Sequence, residues 1–158
     1  MKGLHIIADL YGCRNREMLA SSAMLRESCV AACKDVGLTV LGDHFYQFEG
    51  LDATQAGGAT GAVVFAESHL AIHTWPERDG ATLDVYVCNV TCDNSDKAEK
   101  LYETLIAALQ PGEAEHFARA HGQIDVGHGQ LVGTEGHILK LQHRRAEGDL
   151  DHLVALPE

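Results

Sequence analysis

The sequence predicts an α+β fold, a two-layer structure in which an antiparallel sheet carries two helices on one face. Several short segments alternate apolar and polar residues, which is typical of strands, and two longer segments show helical spacing. Short turns between neighbouring strands favour antiparallel pairing. A chain of 158 residues, 46% hydrophobic and 22% charged, is long enough to bury one core and has the composition of a globular protein. The predicted order of elements is β-α-β-β-β-β-α-β.

The first third of the chain is expected to form a strand, a helix and a second strand. Gly3–Tyr11 alternates apolar and polar residues and is predicted as a strand. The helix is expected over Asn15–Val36, where apolar side chains recur at helical spacing, with Gly37 as its stop. Leu38–Phe48 is predicted as a strand region that is interrupted at Gly42.

The middle of the chain is expected to supply three short strands, followed by a helix and a last strand. The second and third of these strands are joined by a turn at Pro76–Gly80. Leu83, Val85 and Val87 form the apolar face of the third. The strands are expected at Ala62–Ala66, His69–Trp75, Ala81–Cys88 and Glu115–His121, and the helix at Ser95–Leu109.

The end of the chain has a different character, because glycine and histidine become frequent from about Gln123 and the periodicity fades. The sequence therefore predicts one domain over residues 1–122 and a tail over residues 123–158, partly disordered or packed on the surface. The role of this tail cannot be inferred from its composition.

Charge and cysteine content exclude several classes of function. The formal net charge of −11 disfavours nucleic acid and anionic membrane surfaces as partners, and it suits a small cationic molecule. No apolar run is long enough to cross a membrane, and no secretory signal opens the chain. An odd number of cysteines, five, with no C-x-x-C pair, favours a reducing compartment, so a cytoplasmic location is expected. Cys88 and Cys92 lack further ligands at matching spacing, and no metal site is predicted.

Residues with reactive side chains are concentrated between Gly61 and Asn89. A hydrolase would pair Ser68 with His73 as nucleophile and base, but no G-x-S-x-G motif is present. On a continuous strand these two residues would also face opposite ways, so a bend would be needed. The residue types alone leave open that this stretch is simply a structural strand.

The motif AESHLAIHTWPE, followed by LDVYVCN, closely resembles the prokaryotic S-adenosylmethionine decarboxylase proenzymes. The opening GLHIIADLYGC also looks like the N-terminal strand of that family. The resemblance covers about residues 1–120 and is strongest in the central thirty. It implies an enzyme that processes itself and depends on a pyruvoyl group.

The resemblance implies that the hydroxyl of Ser68 attacks the carbonyl of Glu67. The chain is then cut into 1–67 and 68–158, and Ser68 becomes a pyruvoyl group, the cofactor, at the start of the second chain. His73 is implied as an aid to the proton transfers. Thr60 supplies a hydroxyl where family members usually have serine, and threonine keeps the donor and acceptor.

The same resemblance implies catalysis through a Schiff base between the substrate amine and the pyruvoyl carbonyl, which acts as the electron sink after CO₂ is lost. Cys88 matches the acid that returns a proton to carbon, and an ordinary thiol, with a pKa of about 8.5, is mostly protonated at neutral pH. Trp75 and Glu77 match the substrate-contacting segment. Phe48 looks like the aromatic residue that stacks on adenine and is also suited to a sulfonium cation.

Three departures from the family pattern bear on substrate choice. Extra residues lie at about 50–57, next to the expected adenine contact, and Ala71 stands where serine or threonine is usual. The tail is the third. A pyruvoyl-dependent arginine or ornithine decarboxylase therefore remains an alternative to an enzyme for S-adenosylmethionine and spermidine synthesis. A non-catalytic partner subunit is a further alternative, although the chain has an intact serine, histidine and cysteine set.

An uncovered sheet face points to self-association. The strand faces that carry His73, Trp75, Tyr86 and Cys88 are too apolar and reactive to lie bare in water. This feature and the family resemblance predict a homodimer of processed protomers, in which two sheets meet as an αββα sandwich.

Overall fold

The computed structural model describes residues 2–50, 56–66, 68–121 and 138–144. It confirms the α+β prediction: one antiparallel sheet, in the order β2-β3-β4-β5-β1-β6-β7, with helices on one face. The strands are β1 Gly3–Tyr11, β2 Val40–Gln47, β3 Ala59–Phe65, β4 Ser68–Trp75, β5 Gly80–Cys88, β6 Glu113–His121 and β7 Ile138–Arg144. The helices are α1 Arg16–Leu19, α2 Ser22–Asp35 and α3 Ser95–Leu109, and a 3₁₀ turn spans Pro76–Arg78.

The N-terminal helical segment is divided, so the prediction of one uninterrupted helix was wrong. Asn15 caps α1, because its side-chain oxygen accepts from the Met18 N–H at 3.2 Å. Ser21 then caps α2, accepting from the Met24 N–H at 3.3 Å. A second N-cap inside the apolar repeat restarts the helix in a new direction. Gly37, with φ of 78°, ends α2 as expected.

β3 begins at Ala59, three residues before the predicted start at Ala62. Gly61 pairs with Phe45 of β2, and a Cβ atom at Gly61 would overlap the Phe45 ring. Only glycine leaves room for the Phe45 ring at this position of the strand. This packing explains a glycine within β3, although the surrounding sequence is typical of a loop. The predicted interruption at Gly42 is confirmed by a register shift between Val40 and Gly42.

The sheet contains one strand more than the six predicted. β7 lies within the segment expected to be a tail and pairs antiparallel with β6, from Arg119 opposite Ile138 to Glu113 opposite Arg144. The remaining residues of that segment, 123–137 and 145–158, lie outside the described residues, and the domain boundary at residue 122 stays a prediction.

The two faces of the sheet have different partners. α2 packs on β2 and β3, and α3 packs on β1 and β5, so both long helices cover the same face. The opposite face leaves several large apolar side chains exposed. The largest residues buried under the helices include Leu10, Val63, Phe65, Leu70, Ile72, Leu83 and Val85, and the exposed ones on the other face include Ile7, Val64, Trp75 and Phe117.

The five cysteines are free thiols, and four of them are buried. Cys29 and Cys33 on α2 are fully buried in the core, where they pack as small hydrophobic side chains. Burial raises the pKa of Cys33 to about 12 and that of Cys13 to about 11. These thiols are therefore poorly suited to chemistry that needs a thiolate. Among the described residues, no helix combines the length and the apolar character needed to span a membrane.

Candidate active site

A hydrogen bond between Thr60 and His73 marks the first polar group on the open face of the sheet. These residues are paired across β3 and β4, so their side chains lie on the same face, and Thr60 Oγ1 is 2.7 Å from His73 Nδ1. The rings of His73 and Trp75 follow each other along β4, with centroids 6.3 Å apart. The structure therefore brings together three of the residues that the sequence predicted for the site.

A cavity of about 530 Å³ lies against this group. It brings all three predicted substrate contacts to one place, with aromatic rings and carboxylates on the same wall. Such a wall suits a ligand that is both planar and cationic. The lining includes Phe48, Glu49, Thr60, His73, Trp75 and Glu77.

The wall of this cavity depends on two glycines and a buried threonine. A Cβ at Gly57 would overlap the carbonyls of residues 48 and 49, and a Cβ at Gly58 would overlap that of Thr74. The Gln47 side-chain amide donates to the carbonyls of Gly57 and Gly58 at 2.9 and 3.0 Å. Thr74 Oγ1, which is buried, accepts from the Ala59 N–H at 2.8 Å and donates to the Leu19 carbonyl at 2.7 Å. These bonds hold the cavity wall in place; residues 51–55 of the proposed extra segment lie outside the described residues.

Ser68 and Cys88 form a second group at the other end of β4. The Ser68 Oγ accepts from the Cys88 backbone N–H at 2.9 Å. Phe65 and Ser68 are strand partners, so residues 66 and 67 connect β3 to β4, and Ser68 is the first residue of its strand. Glu67 itself lies outside the described residues. Cys88 ends β5 and is 8% exposed. A hydroxyl at a chain connection thus lies against the backbone of the residue that carries the thiol.

His73 and Ser68 do not meet within one chain. β4 pairs with β3 from Ser68 to His73 and with β5 from His69 to Trp75, in both cases without a register shift, so it contains no bend between Ser68 and His73. Five residues of strand separate their Cα atoms by about 16 Å, and their side chains point to opposite faces. The hydrolase interpretation, which needs Ser68 in contact with His73, has no support in this geometry.

A third group was missed by the sequence analysis. Asp84 Oδ1 lies 2.9 Å from His5 Nε2 and 3.3 Å from His69 Nε2. The Tyr86 ring packs against both imidazoles, with centroid distances of 5.7 and 5.8 Å. The alternation in β1 and β5 places these polar residues on the open face, but only the pairing of the strands shows that they meet.

In the described part of the chain, the group formed by His5, His69 and Asp84 has ligand atoms close enough, within 4.8 Å, to hold a metal ion. Two imidazoles and a carboxylate are a common donor set for transition metals. The hydrogen bond between His5 and Asp84, and the contact of His69 with the same carboxylate, already account for the arrangement in this structure.

Comparisons with known proteins identify related enzymes. A family model described as S-adenosylmethionine decarboxylase matches residues 4–120. The S-adenosylmethionine decarboxylase proenzyme of Aquifex aeolicus is 39% identical over 140 residues, which cover 89% of this chain and 96% of that protein. The Hydrogenobaculum proenzyme of the same name is 38% identical over 82% of this chain and 89% of its own. The crystal structure of the Aquifex aeolicus adenosylmethionine decarboxylase superimposes with a TM-score of 0.67 at 36% identity, covering 82% of this chain and 98% of that one.

Proposed function

The chain belongs to the S-adenosylmethionine decarboxylase family, and from that premise we propose that it cuts itself and then decarboxylates S-adenosylmethionine, for spermidine synthesis. The hydrogen bond from the Cys88 backbone N–H to Ser68 Oγ is the observation that carries this proposal, because it joins the cofactor precursor to the residue that is expected to supply the proton. The relatives' shared name supports this substrate over arginine or ornithine. The intact Ser68, His73 and Cys88 set supports an enzyme over a non-catalytic partner subunit.

The proposed processing uses the position of Ser68 at the start of β4. Its hydroxyl attacks the carbonyl carbon of Glu67, which turns the amide into an ester. Elimination then releases chain 1–67 with a free carboxylate and leaves a dehydroalanine at position 68. Tautomerisation and hydrolysis, with loss of ammonia, convert this residue into the pyruvoyl group of chain 68–158. The Cys88 N–H that holds the Ser68 Oγ is a fixed donor beside this centre.

In the proposed turnover the pyruvoyl ketone supplies the electrophile that binds the substrate amine and accepts the electron pair left by CO₂. Cys88 supplies the proton that the substrate carbon then takes up. Phe48 and Trp75 offer ring faces to the adenine and the sulfonium, and Glu77 offers a carboxylate to the positive charge. These assignments follow the lining of the cavity next to Thr60 and His73.

The distance between His73 and Ser68 favours a site built from two chains. A two-fold axis near the middle of β4 would place the His73 end of one strand over the Ser68 end of its partner, and the reverse. The exposed Ile7, Val64 and Phe117 on the open face would be covered in such a pair of sheets. The predicted αββα homodimer would therefore bring the His73 end of one protomer to the Ser68 end of its partner, which one protomer alone cannot do. A stable monomer at micromolar concentration, measured by light scattering, would contradict it.

We expect two uncut variants to rescue each other in a mixed dimer. Ser68→Ala lacks the nucleophile, and His73→Ala lacks the aid to proton transfer, so each alone should stay uncut or nearly so. In the mixed dimer one site carries both substitutions and the other carries neither. When the two variants are co-expressed with different tags, up to about half of the His73→Ala chains should therefore be cut, as random pairing allows. The Ser68→Ala chains should stay intact.

Gel electrophoresis against each tag measures this rescue. The control is each variant expressed alone at the same level. If mixed dimers are recovered through both tags and neither chain is cut, His73 does not act across the interface.

The substrate is tested by the CO₂ that the processed protein releases. With carboxyl-labelled S-adenosylmethionine, arginine and ornithine supplied separately, we expect labelled CO₂ from S-adenosylmethionine alone, because the cavity combines aromatic faces with carboxylates. The Ser68→Ala protein gives the background. Release from arginine or ornithine at a comparable rate would transfer the proposal to that substrate.

A further inference from the structure

His69 occupies a special position if the proposed processing occurs, and this inference rests on that function. It is the residue whose backbone nitrogen carries the new pyruvoyl group. Before cleavage, the start of β4 is tied to β3 through residues 66 and 67. After cleavage it is a chain terminus, and termini open locally unless side chains or backbone bonds hold them.

The His69 side chain is held across two neighbouring strands. Its Nε2 atom lies 3.3 Å from Asp84 Oδ1, and its ring lies over Tyr86 at a centroid distance of 5.8 Å with a tilt of 35°. The same Asp84 oxygen is 2.9 Å from His5 Nε2 on β1. His69, Tyr86 and His5 lie opposite one another in the register of β4, β5 and β1. One carboxylate and one phenol ring thus anchor the first residues of β4 to the middle of the sheet.

This anchor is close to the proposed proton donor. Cys88 follows Tyr86 by two residues on β5, so its side chain emerges on the same face about 7 Å away. The Cys88 backbone already holds Ser68. A shift of the new terminus along β5 would change the distance between the reacting carbon and the Cys88 thiol.

We propose that His69 is a positioning residue, which through Asp84 and Tyr86 holds the cleaved end of β4 in register and so keeps the pyruvoyl group beside Cys88. The anchor is dispensable while the chain is intact, because the connection to β3 performs the same task. It becomes necessary once the bond between residues 67 and 68 is broken. The proposal therefore predicts a defect confined to the processed enzyme.

The test compares His69→Ala with the parent, before and after cleavage. Cleavage should proceed within about threefold of the parental rate. In the processed enzyme, kcat should fall about 10-fold to 100-fold with little change in KM, because misplacement by about 1 Å is enough for a loss of this size. More chains should also end in alanine instead of pyruvoyl after turnover, a product of protonation at the wrong carbon that mass spectrometry detects.

Hydrogen exchange separates this role from a merely structural one. Amides at the start of β4 should exchange faster in processed His69→Ala than in the processed parent. In the uncut Ser68→Ala background, adding His69→Ala should leave these amides unchanged. His69→Gln, whose amide can still donate to Asp84, should recover part of the lost kcat. His44→Ala, at an exposed histidine on β2 that pairs with Ala62, is the matched control and should behave like the parent.

Several results would overturn the proposal. One is a processed His69→Ala protein whose kcat and amide exchange equal those of the processed parent. Another is an increase in amide exchange that is as large in the uncut Ser68→Ala background as in the processed enzyme. If His69→Ala is not cut, Asp84→Ala decides, because it removes the acceptor and leaves residue 69 intact. If kcat and amide exchange in that variant equal those of the parent, the anchor is overturned. A bound metal, found by elemental analysis in the parent and lost in Asp84→Asn, would show that the cluster binds an ion instead. Failure of the proposed function would look different from failure of this proposal, because the parent chain itself would then stay uncut.

Discussion

Ser68→Ala should yield one intact chain with no decarboxylase activity. Without the hydroxyl no ester can form at Glu67, so neither cleavage nor the pyruvoyl group can follow. The parent should instead give chains 1–67 and 68–158, the second blocked at its start by a pyruvoyl group. Mass spectrometry of the two proteins after the same incubation measures the difference, which should be complete.

The fold should survive this substitution. Ser68 accepts one hydrogen bond, from the Cys88 N–H, and its loss costs about 1 kcal/mol. A comparison of the thermal unfolding of Ser68→Ala with that of another uncut variant, His73→Ala, tests whether the fold is retained. Ser68→Cys retains a nucleophile and should be cut, at least in part. A parent chain that stays whole with an unmodified serine after prolonged incubation would contradict the enzyme assignment.

Cys88→Ser should separate processing from turnover. The substitution keeps the shape of the side chain and the backbone N–H that binds Ser68, so cleavage should proceed at least in part. A hydroxyl is a much weaker acid than a thiol, and the return of a proton to the substrate carbon should suffer. We expect turnover to fall about 10²-fold or more, the scale of a general acid. Protonation at the wrong carbon should also leave alanine in place of the pyruvoyl group and inactivate the enzyme during turnover.

Cys92→Ser is the matched control for this experiment. Cys92 is exposed in the loop after β5, where its thiol contacts Asn94 Oδ1 at 3.5 Å. Its substitution should leave cleavage and turnover close to parental. If Cys88→Ser also behaves like the parent, Cys88 is only a packed thiol, and His73 and Tyr86 become the first candidates for the proton donor.

Elements whose signals are local could be predicted from the residue pattern alone. α3 has the predicted bounds, because its apolar stripe and the Pro111–Gly112 stop lie within one segment. β1 and β5 bury the predicted faces, since alternation fixes which side chains share a side. The motif around Ser68 was sufficient to identify the family, which the comparisons confirm.

Contacts between distant residues depend on how the strands are ordered in the sheet. His5 lies beside Asp84, 79 residues away in the chain, because β1 inserts between β5 and β6. Local periodicity does not show which strands become neighbours, so the contacts of His69 with Asp84 and Tyr86 were not predicted. The early start of β3 also depends on a contact between strands, because the Phe45 ring on β2 occupies the space above Gly61.

The arrangement of the site shows the same division. The resemblance to the family named Ser68, His73 and Cys88 as one reactive set. The unbroken hydrogen bonding of β4 on both sides then places Ser68 with Cys88 and leaves His73 with Thr60 at the far end. Proximity in sequence brings residues together only where the chain bends, and a strand paired on both sides stays extended because its backbone bonds are all made within the sheet.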